Sequence, residues 1–96
     1  MIIRVDIDDT ICEYKGKREY NLAIPIQENI DKINRLYDEG NYIIYWTARG
    51  TTTGLDWYNL TLKQLKEWEC KFHDLKMSKP EYDLLIDDKN MRIEEI

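Results

Sequence analysis

Ninety-six residues, 43% of them hydrophobic and including seven Tyr and three Trp, suffice for one small domain, residues 1–96, and no more. A net charge of -5 leaves no basic stripe to neutralise phosphates, which argues against a nucleic-acid partner or an anionic membrane surface. Cys12 and Cys70 are too few for a disulfide scaffold or a zinc site and read as reduced thiols of a cytoplasmic protein. The first residues do not resemble a secretory leader, and no apolar run approaches membrane-spanning length.

In chain order, Met1–Val5 is rich in β-branched residues and reads as a short buried strand ending at Asp6-Ile7-Asp8-Asp9-Thr10. Extended backbone points Asp6 and Asp8 to one side, where their charges repel. A bound cation would relieve that repulsion; a polar strand exit is the plainer reading. Residues 10–23 carry mixed charges, Gly16, Tyr14 and Tyr20, and read as a loop or small hairpin. A helix is expected from Pro25, with Ile26, Ile30, Ile33 and Tyr37 at helical spacing and Gly40 just past its end. Tyr42–Thr47 is apolar enough for a strand covered on both faces. After a loop at 48–54, Leu55, Tyr58, Leu62, Leu65 and Trp68 mark a second helix. Thr61 with Gln64 matches a capping box, which would start this helix late, near Leu62. Lys71–Leu75 suits a third strand, Lys79-Pro80 a turn, and Tyr82–Ile86 a fourth strand that also stops at acids, Asp87-Asp88. The charged tail carries Met91, Ile93 and Ile96, and the lone His73 reads as structural or exposed.

The order β-α-β-α-β-β implies an open, mainly parallel α/β sheet with right-handed crossovers. Polar residues cluster where strands end: Asp6 and Asp8, then Thr47 and Arg49, then Asp87 and Asp88. In such sheets ligands bind outside the carboxyl ends of the strands. Together these residues supply the parts of phosphoryl transfer: a nucleophile, a second carboxyl group, a hydroxyl and a cation for phosphoryl oxygens, and further carboxylate for Mg²⁺.

On these motifs the chain resembles phosphatases of the haloacid dehalogenase superfamily. Asp6-Ile7-Asp8-Asp9-Thr10 matches the first motif, D-x-D-x-[TV], and Thr47 in Tyr-Trp-Thr-Ala-Arg-Gly the second. Lys79 matches the third, and Leu84-Leu85-Ile86-Asp87-Asp88 the fourth. More narrowly, it is similar to short bacterial hydrolases labelled as acting in capsule biosynthesis or on sugar phosphates. The resemblance implies a minimal three-layer Rossmann-like fold with a sheet of about four strands in the order 4-1-2-3. No insertion is long enough for a cap domain, and the eight residues after Asp88 leave the usual fifth strand and last helix missing or reduced.

The resemblance further implies that Asp6 attacks phosphorus to form an aspartyl-phosphate, while Asp8 serves as general acid and then base. Mg²⁺ would be held by the Asp6 carboxylate, the Asp8 backbone carbonyl, Asp87, and Asp88 directly or through water. Thr47 and Lys79 would bind the phosphoryl oxygens and Arg49 would add a substrate contact; Lys76, three residues before Lys79, is the competing lysine. The expected substrate is a small phosphorylated metabolite such as a sugar phosphate. The rival readings are a nucleic-acid end phosphatase and a catalytically idle module binding Mg²⁺ or phosphate. With no cap and many aromatics, the chain is expected to self-associate as a homo-oligomer, a neighbouring subunit helping to wall the site. The loop at 50–58, with Trp57, is an alternative cover.

Overall fold

In the computed structural model, which describes residues 1–96, strand β1 (Ile2–Val5) lies parallel to β4 (Tyr42–Trp46), pairing Ile2 with Tyr42 and Val5 with Tyr45. On its other side β4 pairs in parallel with β5 (Asp74–Lys76), so the sheet runs β1-β4-β5. Of the loop or small hairpin open for residues 10–23, the chain forms a hairpin of β2 (Cys12–Glu13) and β3 (Ile24–Pro25), the second strand lying just beyond that stretch. Helices α1 (Gln27–Asp38) and α2 (Tyr58–Glu67) make the two crossovers. Neither helix is long and apolar enough to cross a membrane.

Both crossovers step the same way along the sheet, and with right-handed connections that puts both helices over one face. The core agrees: Val5, Ile43, Tyr45 and Leu75, which share a face by alternation, pack with Ile30 and Ile33 of α1 and Leu65 of α2. The other face carries Ile2, Arg4, Ile44 and Trp46, with the Arg4 guanidinium 4.9 Å from the centre of the Trp46 ring. A third layer is therefore not built by either helix.

Helix α1 ends as its sequence foretold. Gly40 takes φ +96°, its N–H donates to the Tyr37 carbonyl, and the Asn41 N–H reaches back to Leu36, a full Schellman closure. The helix starts two residues later than expected, at Gln27, with Pro25 in β3 and Ile26 at the N-cap position. Helix α2 begins at Tyr58 rather than near Leu62, because Thr61 bonds inside the helix: its hydroxyl donates to the Trp57 carbonyl at 2.7 Å. Strand β5 starts three residues late, since Lys71 is held by Asn34 and Asp38 of α1.

The main departure is the fourth strand. Tyr82–Ile86 forms no strand, no backbone–backbone hydrogen bond involves residues 80–91, and Leu84 and Ile86 are 76% and 88% exposed. The free edge of β1 is correspondingly unpaired. The cause is reach. Lys79 is pinned at the carboxyl end of the sheet, its N–H donating to the Thr47 carbonyl and its carbonyl accepting from the Thr51 hydroxyl. Only Pro80 and Glu81 separate it from Tyr82, too few to carry the chain to the amino end of β1.

Candidate active site

Past Val5 the chain leaves the sheet through a tight turn. Ile7 is fully buried and its carbonyl accepts the N–H groups of Thr10 and Ile11, while Asp9 sits in the left-handed region at φ 66°. With Ile7 anchored inward, Asp6 and Asp8 face a cavity of about 380 Å³ that Thr47, Arg49 and Lys79 also line, as do Tyr20 and Tyr82. The repulsion expected between the two carboxylates is relieved by side chains, each receiving its own cation.

Asp6 Oδ1 accepts from Lys79 Nζ at 3.1 Å and Oδ2 from the Thr10 hydroxyl at 3.1 Å; the side chain stays 40% exposed. Burial alone would lower the Lys79 ammonium's pKa, but the Asp6 carboxylate beside it, with Tyr82, raises it, so Lys79 is charged. Lys76 points elsewhere, to Asp74 at 3.4 Å. The lysine that reaches the cavity is thus Lys79. Thr47 is buried; its Oγ1 accepts from the Arg49 N–H at 3.1 Å.

Asp8 is held more tightly. Arg49 grips it with two charge-assisted bonds, Nε to Oδ2 at 3.0 Å and Nη2 to Oδ1 at 2.8 Å, and the Tyr14 hydroxyl donates to Oδ1 at 2.5 Å. Burial pushes the Asp8 pKa up, yet Arg49 outweighs it, with help from Tyr14 and Cys12, and holds the carboxyl below its ordinary range. Burial, and then Asp8, push the Cys12 thiol up to about 12, so it is no nucleophile at neutral pH.

Arg49 departs from expectation. Its side chain is buried, and every guanidinium N–H is used: Nη1 donates to Thr61 at 3.1 Å and Gln64 at 2.6 Å, and Nη2 reaches Tyr14 at 3.4 Å as well as Asp8. The Tyr20 ring lies 4.8 Å from its central carbon. With no donor left, Arg49 is not a free substrate contact; it fixes Asp8. The residues that seat it, Thr61, Gln64, Tyr14 and Tyr20, were not legible as site residues. The one signal is a Thr and a Gln three apart on the buried face of α2, a spacing that a capping box shares.

Asp87 and Asp88 are not brought to Asp6 and Asp8. Both are exposed on the unpaired stretch after Ile86, Asp87 turned onto the Lys89 N–H at 3.3 Å, and no three acidic, histidine or cysteine side chains gather as a metal site. The four-carboxylate set expected for Mg²⁺ is therefore not assembled within one copy. The reason is the missing fourth strand.

No family model and no curated protein matches the chain. Among solved structures, the crystal structure of a structural-genomics target from Vibrio cholerae superposes with a TM-score of 0.87 at 20% identity, covering 98% of this chain and 85% of that one. At that identity the likeness is one of fold. The chain is a small α/β domain with a three-stranded parallel sheet and two helices, and its carboxylate cavity lies at the carboxyl end of that sheet.

Proposed function

We propose that the chain is a phosphomonoesterase acting on a small phosphorylated metabolite, with Asp6 as nucleophile. The observation that carries this is the Asp6 carboxylate, accessible at the cavity floor with the Lys79 ammonium 3.1 Å away. A phosphate dianion drawn to Lys79 is placed beside Asp6, and Thr47 lines the same cavity. Asp6 attacks phosphorus, the bond from phosphorus to the ester oxygen breaks, and the leaving oxygen takes a proton from water admitted by the open cavity. Lys79 offsets the charge that spreads over the phosphoryl oxygens. Water then attacks phosphorus, Asp8 accepts its proton, and inorganic phosphate leaves with Asp6 restored. Asp8, ionised against Arg49, suits this second step; serving as an acid in the first would require release from Arg49. The residues of one copy do not fit Mg²⁺, because Asp6 and Asp8 already hold Lys79 and Arg49 while Asp87 and Asp88 stand apart.

The same bidentate grip on Asp8 favours a second reading, a phosphate-binding module without turnover. Phosphate release from a panel of sugar phosphates, nucleotides and 5′-phosphorylated oligonucleotides, with and without Mg²⁺, separates the two. The first reading expects release that Asp6→Asn abolishes. Phosphate binding by calorimetry with no release from any ester establishes the second, and release retained by Asp6→Asn removes Asp6 as nucleophile.

A further inference from the structure

We propose that two copies of the chain exchange their Tyr82–Ile86 segments. Each segment adds a fourth, parallel strand to the free edge of the partner's β1 and carries Asp87 and Asp88 to the end of that strand where Asp6 and Asp8 stand. The segment has the make-up of a buried strand, yet forms no backbone bond and leaves Leu84, Leu85 and Ile86 largely in water. Strand β1 is hydrogen-bonded on one side alone, and Ile2 is 75% exposed. An unused strand and an open parallel edge in one chain are complementary, and an open edge readily pairs with another chain.

Chain length decides which copy supplies the edge. Parallel pairing that sets Asp87 level with Asp6 sets Tyr82 level with Met1, five residues or about 17 Å below the carboxyl end at ~3.3 Å per residue. Lys79 is fixed at that carboxyl end by Thr47, Thr51 and Asp6. Three residue steps from Lys79 to Tyr82 span at most about 11 Å and leave nothing for reversing direction. A chain cannot fold its own Tyr82–Ile86 back along its own β1 over that length while Lys79 stays in the cavity. A second copy's edge carries no such limit. Pro80 serves as the hinge: it has no N–H to pair and forces Lys79 into an extended conformation. Everything beyond it moves with the segment, so Ile93, which packs on the core beside α1, is seated on the partner instead.

The exchange follows from pairing and reach rather than from the phosphatase reading, and its test needs no turnover. Light scattering over a dilution series is expected to give a dimer of twice 11.6 kDa at high concentration. Leu84→Pro costs one copy nothing, because residue 84 makes no backbone bond there, but in the exchanged pair it removes the bond that the Leu84 N–H donates to the partner's Ile2 carbonyl, one from each exchanged strand. It is expected to raise the dissociation constant about tenfold or more with unchanged circular dichroism. Hydrogen exchange is expected to show protected amides at Ile2, Arg4, Leu84 and Ile86 in the dimer that lose protection on dilution, since Ile3 and Val5 already bond to β4 in one copy. A wild-type monomer throughout, a dimer unaffected by Leu84→Pro, or a dimer with unprotected Leu84 and Ile86 amides would each overturn the exchange. Any of these would leave the phosphomonoesterase reading standing.

Discussion

Replacing Arg49 by Met tests the organisation of the site, because it removes the one group to which Asp8, Tyr14, Thr61 and Gln64 all bond. Methionine keeps most of the apolar stem, so packing is largely retained. What is lost is the countercharge to a carboxylate only 13% exposed. Breaking a buried pair from one side costs about 3–5 kcal/mol, a large part of the ~5–15 kcal/mol that holds a small domain together. At roughly 4–8 °C per kcal/mol, the melting temperature should fall by on the order of 15–30 °C. Arg49→Met combined with Asp8→Leu should recover most of that, since an apolar pair leaves no uncompensated charge. The pH dependence has a definite sign. The folded Asp8 pKa lies below the ordinary 3.8, so the pair contributes fully above 3.8 and is lost as pH falls through the folded value. Without Arg49, burial is opposed only by the Tyr14 and Cys12 hydrogen bonds, so the Asp8 pKa moves up from its wild-type value and acid relieves the variant. Urea unfolding followed by tryptophan fluorescence should therefore show a gap between wild type and Arg49→Met that is wide at pH 7 and narrows on acidification. A gap under about 1 kcal/mol at pH 7, or one that widens in acid, refutes a stabilising Asp8–Arg49 pair.

Lys79→Ala should lower phosphate release at least about 100-fold, whereas Lys76→Ala, whose partner Asp74 is a surface acid, should stay within about 2-fold in the same assay. At Gly50, φ is +81° and an added Cβ would lie 2.1 Å from the Leu55 carbonyl oxygen, so Gly50→Ala should cost about 1–3 kcal/mol by urea midpoint. An unchanged midpoint would show that the 50–55 turn opens freely. The buried Tyr45 hydroxyl has no hydrogen-bond partner, with the Cys70 thiol beside it, so Tyr45→Phe should stabilise the fold by about 1 kcal/mol. Destabilisation in the same measurement would mean that the hydroxyl is bonded.

What could be read from the sequence was local. Alternation put Asp6 and Asp8 on one side, helical spacing marked Ile30, Ile33 and Leu65 as core, and Gly40 announced the end of α1. What could not be read depended on partners remote in the chain. Arg49 has the make-up of a surface charge, and only tertiary packing reveals that Asp8, 41 residues away, and Thr61 and Gln64 of α2 bury it. Thr61 and Gln64 satisfy a capping pattern in spacing alone; the pattern does not say whether their polar atoms turn to the helix end or to a guanidinium. Tyr82–Ile86 has the composition of a strand, but composition carries strand propensity and not the availability of an edge. With only two residues between Lys79 and Tyr82, the segment cannot reach the amino end of its own β1, and that appears only once Lys79 is seen to be pinned.

The central claim is that Asp6 takes the phosphoryl group, and trapping that intermediate tests it most directly. Wild-type protein mixed with a turned-over phosphate ester, quenched in acid within a single turnover and digested, should yield a phosphorylated peptide spanning Asp6. The adduct should vanish in Asp6→Asn. Turnover with no adduct, or an adduct on another residue, would contradict the account.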